Sequence, residues 1–203
     1  IHDMAIQNLH SIIVMDRAGA VPGDGETHQG LFDIALFRPV PNVTMLTPAT
    51  GKDLEKILEY SISGKGTYII RYPKMSCPSE RSEFSSEIME GRGVLLKAES
   101  LFPTLEVALE DSGETRRILF VTTGGMYSEV VVASRALLME NVMSDIYSLR
   151  FIKPIDKEYF IALAKDYDGI VFAEDGIVSG GISEYLALVL SERKITNFRI
   201  KAF

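Results

Sequence analysis

The chain has 203 residues, with 21 Lys and Arg against 28 Asp and Glu, a net charge of -7, and 46% apolar and 24% charged side chains. That length suits one large core or two modest ones, and the mix excludes a disordered chain. The acidic balance argues against a nucleic-acid surface, the Arg116-Arg117 pair notwithstanding.

A single cysteine, Cys77, rules out an internal disulfide or a cysteine metal site and fits a reducing cytoplasm. It stands in a Pro-Ser stretch with no histidine nearby and is not read as a functional thiol. There is no run of about 18 apolar residues and no signal-like segment, so neither a membrane nor secretion is indicated.

In chain order, Asp3, Ala5, Ile6 and Leu9 read as the tail of an amphipathic helix, implying sequence upstream of Ile1. The β-branched run at 12–15 predicts a buried parallel strand, and the loop after it feeds a short helix expected to begin near His28. A strand follows at 42–46. Thr47 reads as an N-cap with Pro48 in the first helical position, and Leu54, Ile57, Leu58 and Ile62 are assigned to the buried face of the next helix. Gly64 and Gly66 end that helix, and 67–72 is a strand stopped by Pro73. Residues 74–90, rich in Ser, Glu and Pro, have the composition of a surface linker between two domains.

Beyond the linker, 91–97 predicts a strand, and 105–109 with 117–121 reads as a hairpin about a turn at 111–114. The remainder alternates: a strand at 118–122, a helix at 126–139, a strand at 146–149, a helix at 156–165, a strand at 169–173, a helix at 181–190 and a strand at 197–201. This is the pattern of a small parallel α/β domain. The glycine pairs at 124–125 and 180–181 lack the spacing of phosphate loops and are read as sites of close helix–strand packing.

The densest chemistry lies in Asp16-Arg17-Ala18-Gly19 and the following residues to Gly30. Ligands in open α/β sheets gather beyond the carboxyl ends of parallel strands, where this loop falls. Arg17 offers a planar, permanently charged fork for a carboxylate or phosphate, the glycines allow tight turns, and His28 can exchange protons near neutrality. The pattern suits a small anionic substrate undergoing proton transfer. Its plainer alternative is a surface ion pair for Arg17 and a helix cap for His28.

Several strings carry a resemblance: DRAG at 16–19, DGETHQG at 24–30, Phe32-Asp33, Pro41-Asn42, Met45, Thr47-Pro48, Arg71-Tyr72-Pro73, the run from Arg150 to Asp156, and Glu174 to Gly181. Together they resemble the 1-deoxy-D-xylulose-5-phosphate synthases, thiamine diphosphate enzymes of the transketolase superfamily, over nearly the whole chain. The resemblance implies two parallel-sheet α/β domains: a partial pyrimidine-binding domain at 1–74, a linker at 75–90 and a transketolase C-terminal-like domain at 91–203. It implies a cytoplasmic homodimer that condenses pyruvate with glyceraldehyde 3-phosphate, losing carbon dioxide, at the entry to isoprenoid precursors. Thiamine diphosphate and Mg2+ are implied as cofactors, their main ligands belonging to a missing N-terminal domain and not to this chain.

Carried over residue by residue, Arg17 holds an anionic group of substrate, Asp24 helps position it, and His28 orients the intermediate or assists proton transfer. Lys74 occupies the place of a phosphate-binding arginine and keeps the charge without the fork. Met75 and Pro22 stand where the family has glycine. The Glu174-Asp175 pair is assigned a structural role. The chain is read as a fragment of a full synthase; a natural beta-type subunit and a non-catalytic module of the same fold are the alternatives.

Overall fold

The computed structural model describes residues 1–103 and 116–202. Strand β1 (Ser11–Met15), strand β2 (Val43–Leu46) and strand β3 (Thr67–Arg71) run parallel, with β3 in the middle and Ile69 opposite both Ile13 and Met45. Every residue of β3 is buried, as its Thr-Tyr-Ile-Ile sequence favours, whereas β1 lies at the edge and leaves Val14 half exposed. The fourth strand comes from far along the chain. Strand β7 (Phe151–Lys153) adds antiparallel to β2, giving the order β1-β3-β2-β7.

The second sheet has the order β4-β6-β5-β8-β9, formed by β4 (Val94–Leu96), β5 (Arg117–Thr122), β6 (Met143–Ser148), β8 (Gly169–Ala173) and β9 (Phe198–Lys201). Its strands are parallel except β4, which runs antiparallel along the edge of β6. The expected mixture of two α/β sheets is therefore present, each with one antiparallel strand. Residues 104–110 and 111–115 lie outside the described residues, and with them the first arm and turn of the expected hairpin. The expected second arm, β5, instead takes β6 and β8 as its two neighbours and is the central parallel strand.

The helices are α1 (His2–Ile6), α2 (Asp33–Phe37), α3 (Gly51–Ser63), α4 (Ala98–Leu101), α5 (Tyr127–Leu138), α6 (Lys157–Ala164) and α7 (Ile182–Glu192). No helix among the described residues is long and apolar enough to cross a membrane. One apolar cluster spans both sheets: Ile34, Met45 and Ile69 of the first belong with Leu119, Phe160 and Leu186 of the second. Truncating a fully buried member such as Ile69 to alanine costs about 2–5 kcal/mol.

Local chemistry corrects two expectations. The N-cap of α3 is Thr50, whose side chain accepts from the Asp53 N–H; Thr47 instead accepts from the Gly124 N–H, 3.1 Å away. Ile62 is 65% exposed because the buried stripe of α3 runs through Asp53, Ile57 and Ser61; at 3.6 residues per turn Ile62 points about 140° away from Ile57. The segment expected as a surface linker is exposed over most of its length and has one buried anchor, Phe84. A 3-10 turn at Ser82–Ser85 buries Phe84 edge-on against Tyr127, with ring centroids 5.2 Å apart.

Two buried arginines tie the first half of the chain to the second. Arg150 donates to Asp53 at 2.6 Å, to the Phe84 carbonyl at 2.7 Å and to the Ser86 and Glu87 carbonyls at 3.2 Å each. Arg71, at the end of β3, donates to Asp33 at 3.0 Å and to Asp175 at 2.7 Å. Burial, with a smaller push from Glu80 on Asp53 and from Asp175 on Asp33, raises these carboxyls, and each arginine pulls its partner back toward the ionised form. Burial likewise lowers Arg71, but Asp175 and Asp33 more than reverse this, so it stays charged.

Candidate active site

The chain leaves β1 through Asp16 and turns at Arg17, whose φ of 59° is left-handed and uncommon for a side chain of that size. It then closes a loop on itself. The Gly19 N–H donates to the Gly30 carbonyl at 3.1 Å, and the Gly30 N–H returns to Gly19 at 2.9 Å. Inside the loop the Gln29 side chain takes the Val21 N–H at 2.6 Å and donates back to the Val21 and Gly25 carbonyls at 3.3 Å each. Gly30 is essential to this closure: an added Cβ there overlaps the Arg17 carbonyl oxygen and comes within 2.9 Å of the Ala18 Cα.

The expected helix at His28 is absent for the same reason. The chain must complete its pairing through Gly30 before it can wind, so α2 begins at Asp33. His28 sits in a turn, its N–H donating to the Gly25 carbonyl at 3.0 Å and its Nδ1 facing the Thr27 hydroxyl at 2.9 Å. It is exposed, shares the closed loop with Asp24, and hydrogen-bonds neither Asp24 nor Arg17 among the described residues.

Arg17, Asp24 and Lys74 do meet. Asp24 Oδ2 accepts from Arg17 Nε at 2.7 Å, and Oδ1 accepts from Lys74 Nζ at 2.8 Å, so one carboxylate lies between two cations. Arg17 also turns Nη1 to Asp16 at 2.5 Å. The bonds from Lys74 and then Arg17 hold the Asp24 carboxyl below its usual range, and the Asp24 bond in turn raises Arg17. Both cations remain open to solvent, at 36% and 52% side-chain exposure, so another anion can reach them. Lys74 is placed by β3: the Tyr72 N–H donates to Met15 and the Tyr72 carbonyl accepts from Ala18, joining the strand end to the start of the loop.

A neighbouring apolar cavity of about 160 Å³ is lined by Pro48, Leu54, Tyr72, Met75, Cys77 and others, without Arg17, Asp24, His28 or Lys74. It is smaller than the roughly 300–1,000 Å³ of ordinary ligand pockets. Among the described residues no three His, Cys, Asp or Glu side chains converge on a point where a metal ion could sit.

Glu174 accepts from the Ile182 and Ser183 N–H groups at 2.9 Å each and from the Ser183 hydroxyl, capping α7. Burial raises its carboxyl, and these donors oppose the shift. Beside it, Asp175 takes Arg71 and, at 2.6 Å, the Thr123 hydroxyl. Neither Arg71 nor Asp175 stands out in the sequence as part of the rim; they are 104 residues apart, and only the packing of the two sheets brings them together.

Residues 1–79 match the family model described as transketolase, pyrimidine binding domain, and residues 108–202 match transketolase, C-terminal domain. The chain is 42% identical over 193 residues to 1-deoxy-D-xylulose-5-phosphate synthase of Treponema pallidum (strain Nichols), covering 95% of this chain and 28% of that protein. It is 35% identical to the synthase of Campylobacter hominis, covering 100% of this chain and 31% of the relative. Among solved structures, a split gene transketolase described as an inactive beta4 tetramer superposes with a TM-score of 0.80 at 25% identity, over 98% of this chain and 59% of that one. The chain therefore spans less than a third of the length of these curated relatives.

Proposed function

Because the chain belongs to the transketolase family, we propose that it forms the pyrimidine-binding and C-terminal part of a thiamine-diphosphate-dependent 1-deoxy-D-xylulose-5-phosphate synthase. The whole enzyme condenses pyruvate with glyceraldehyde 3-phosphate and releases carbon dioxide. Carbanion stabilisation belongs to the cofactor, and no residue described in this chain is assigned to holding it. Homodimeric assembly, Mg2+ dependence and a cytoplasmic location are carried with the same proposal on family likeness.

The observation that carries the reading is the single carboxylate of Asp24 held between Arg17 and Lys74. Two cations already set to face the two oxygens of one anion suit a phosphate group, whose oxygens can take both. In this reading Arg17 and Lys74 grip the phosphorylated aldehyde, and Asp24 keeps the two cations at the right separation until that anion arrives. His28, exposed on the same loop, is the group able to give or take a proton beside it.

The test is Arg17→Ala in the polypeptide extended to the full length of its curated relatives. The expected outcome is a rise of about tenfold or more in KM for glyceraldehyde 3-phosphate, at unchanged melting temperature. An unchanged KM removes Arg17 from the site. The 203-residue chain alone, given cofactor and Mg2+, is expected to consume no pyruvate.

A further inference from the structure

The loop closed by Gly19 and Gly30 fixes its own shape and meets the segment just beyond β3 through one backbone bond, from the Ala18 N–H to the Tyr72 carbonyl at 3.0 Å. Asp24 and Lys74 meet across the same junction at 2.8 Å. A second brace comes from outside the loop.

One stretch of the second half of the chain touches both ends of the loop. Gly19, at φ 78°, lies so close to Asp175 that an added Cβ falls 2.9 Å from the Asp175 Cβ and 3.0 Å from its carbonyl oxygen. At the other end the Ile177 N–H donates to the Leu31 carbonyl at 3.1 Å, and past it Arg38 of the first half donates to the Gly180 carbonyl at 3.2 Å. The stretch from Asp175 to Gly180 is a seat for the loop and for α2.

The seat is itself held in register with β3. Asp175 Oδ1 receives Arg71 Nη1 and the Thr123 hydroxyl, while Arg71 Nε reaches Asp33 at the start of α2. Arg71 is the last residue of β3, three positions before Lys74. A buried ion cluster is weak as a source of net stability, and this one leaves Arg71 Nη2 and Asp175 Oδ2 buried without a partner among the described residues. What it does provide is a fixed distance among the loop, the end of β3 and the end of β5.

We propose that Asp175 is a positioning residue for the anion grip: through Gly19 and Arg71 it sets the spacing between the loop bearing Arg17 and Asp24 and the strand end bearing Lys74. The inference rests on the functional reading above for its kinetic consequence, but not for its structural one.

Two variants test it. Asp175→Asn keeps the shape and removes the charge; Thr123→Val removes only the hydroxyl that orients Asp175, and decides the matter should the first fail to fold. In the 203-residue chain, amide exchange at Gly19 and Gly30 is expected to quicken about tenfold while Ile69 and Ile70 of β3 keep their protection. In the full-length polypeptide, KM for glyceraldehyde 3-phosphate is expected to rise about fivefold with kcat falling less than twofold. Exchange that is unchanged, or that quickens equally in β3, overturns the proposal, as does an unchanged KM. Absence of turnover in the unsubstituted protein overturns the functional reading and leaves the exchange contrast to decide Asp175.

Discussion

Gly30→Ala puts a methyl group where the Arg17 carbonyl oxygen already sits and within 2.9 Å of the Ala18 Cα. Both obstacles are backbone, so neither can swing away as a side-chain tip would. Overpacking of this kind costs about 1–3 kcal/mol. If relief comes by parting the loop ends, the two hydrogen bonds between Gly19 and Gly30 are lost as well, each worth about 1 kcal/mol. The sum is roughly 3–5 kcal/mol, which for a chain of this size lowers Tm by about 6–20 °C. Gly25→Ala is the matched control. Nothing lies within 4 Å of an added Cβ there and its φ is not left-handed, so the expected change runs from zero to a gain of about 1 kcal/mol. Thermal and urea unfolding of the two variants beside the parent measure the difference. Equal stability of Gly30→Ala and Gly25→Ala refutes the account of how this loop is closed.

Arg150→Met leaves Asp53 buried without its cation and strips donors from three carbonyls; the expected loss is about 3–5 kcal/mol, read by urea unfolding, with a loss under 1 kcal/mol as the contrary result. For Asp24 the depressed folded-state pKa fixes the sign: the pairing is present above the ordinary 3.8 and is lost as pH falls through the lower folded value. An NMR titration of its carboxyl carbon is expected to give a midpoint below 3.8, moving back toward it in Lys74→Met and at high salt; a midpoint at or above 3.8 contradicts the clasp.

Strands that were continuous β-branched runs between glycine or proline could be read directly: β3, stopped by Pro73, and β8, opening at Gly169, fall where local pattern puts them. Strand β7 could not. Three residues inside a charged, proline-containing string carry no periodic signal, and the partner that makes them a strand is β2, about a hundred residues earlier. The late start of α2 was hidden likewise, because it depends on Gly30 pairing backward to Gly19 and not on local helix signals. In the candidate site, the strings that carry the resemblance singled out Arg17, Asp24, His28 and Lys74, yet sequence spacing alone could not place Asp24 against a lysine 50 positions away. Asp175 was legible only as an acidic residue ending a strand.

The insertion of β7 beside β2 bears on how such a gene can be divided. A break anywhere between the end of the first family match at residue 79 and Phe151 would yield an upstream product whose β2 has a bare edge, with backbone donors and acceptors facing solvent. Such a product is apt to recruit a stray strand from another molecule. Fission or recombination is therefore tolerable neither at the compositional seam that looks most like a junction nor just after Lys153, where β5 would lose β8.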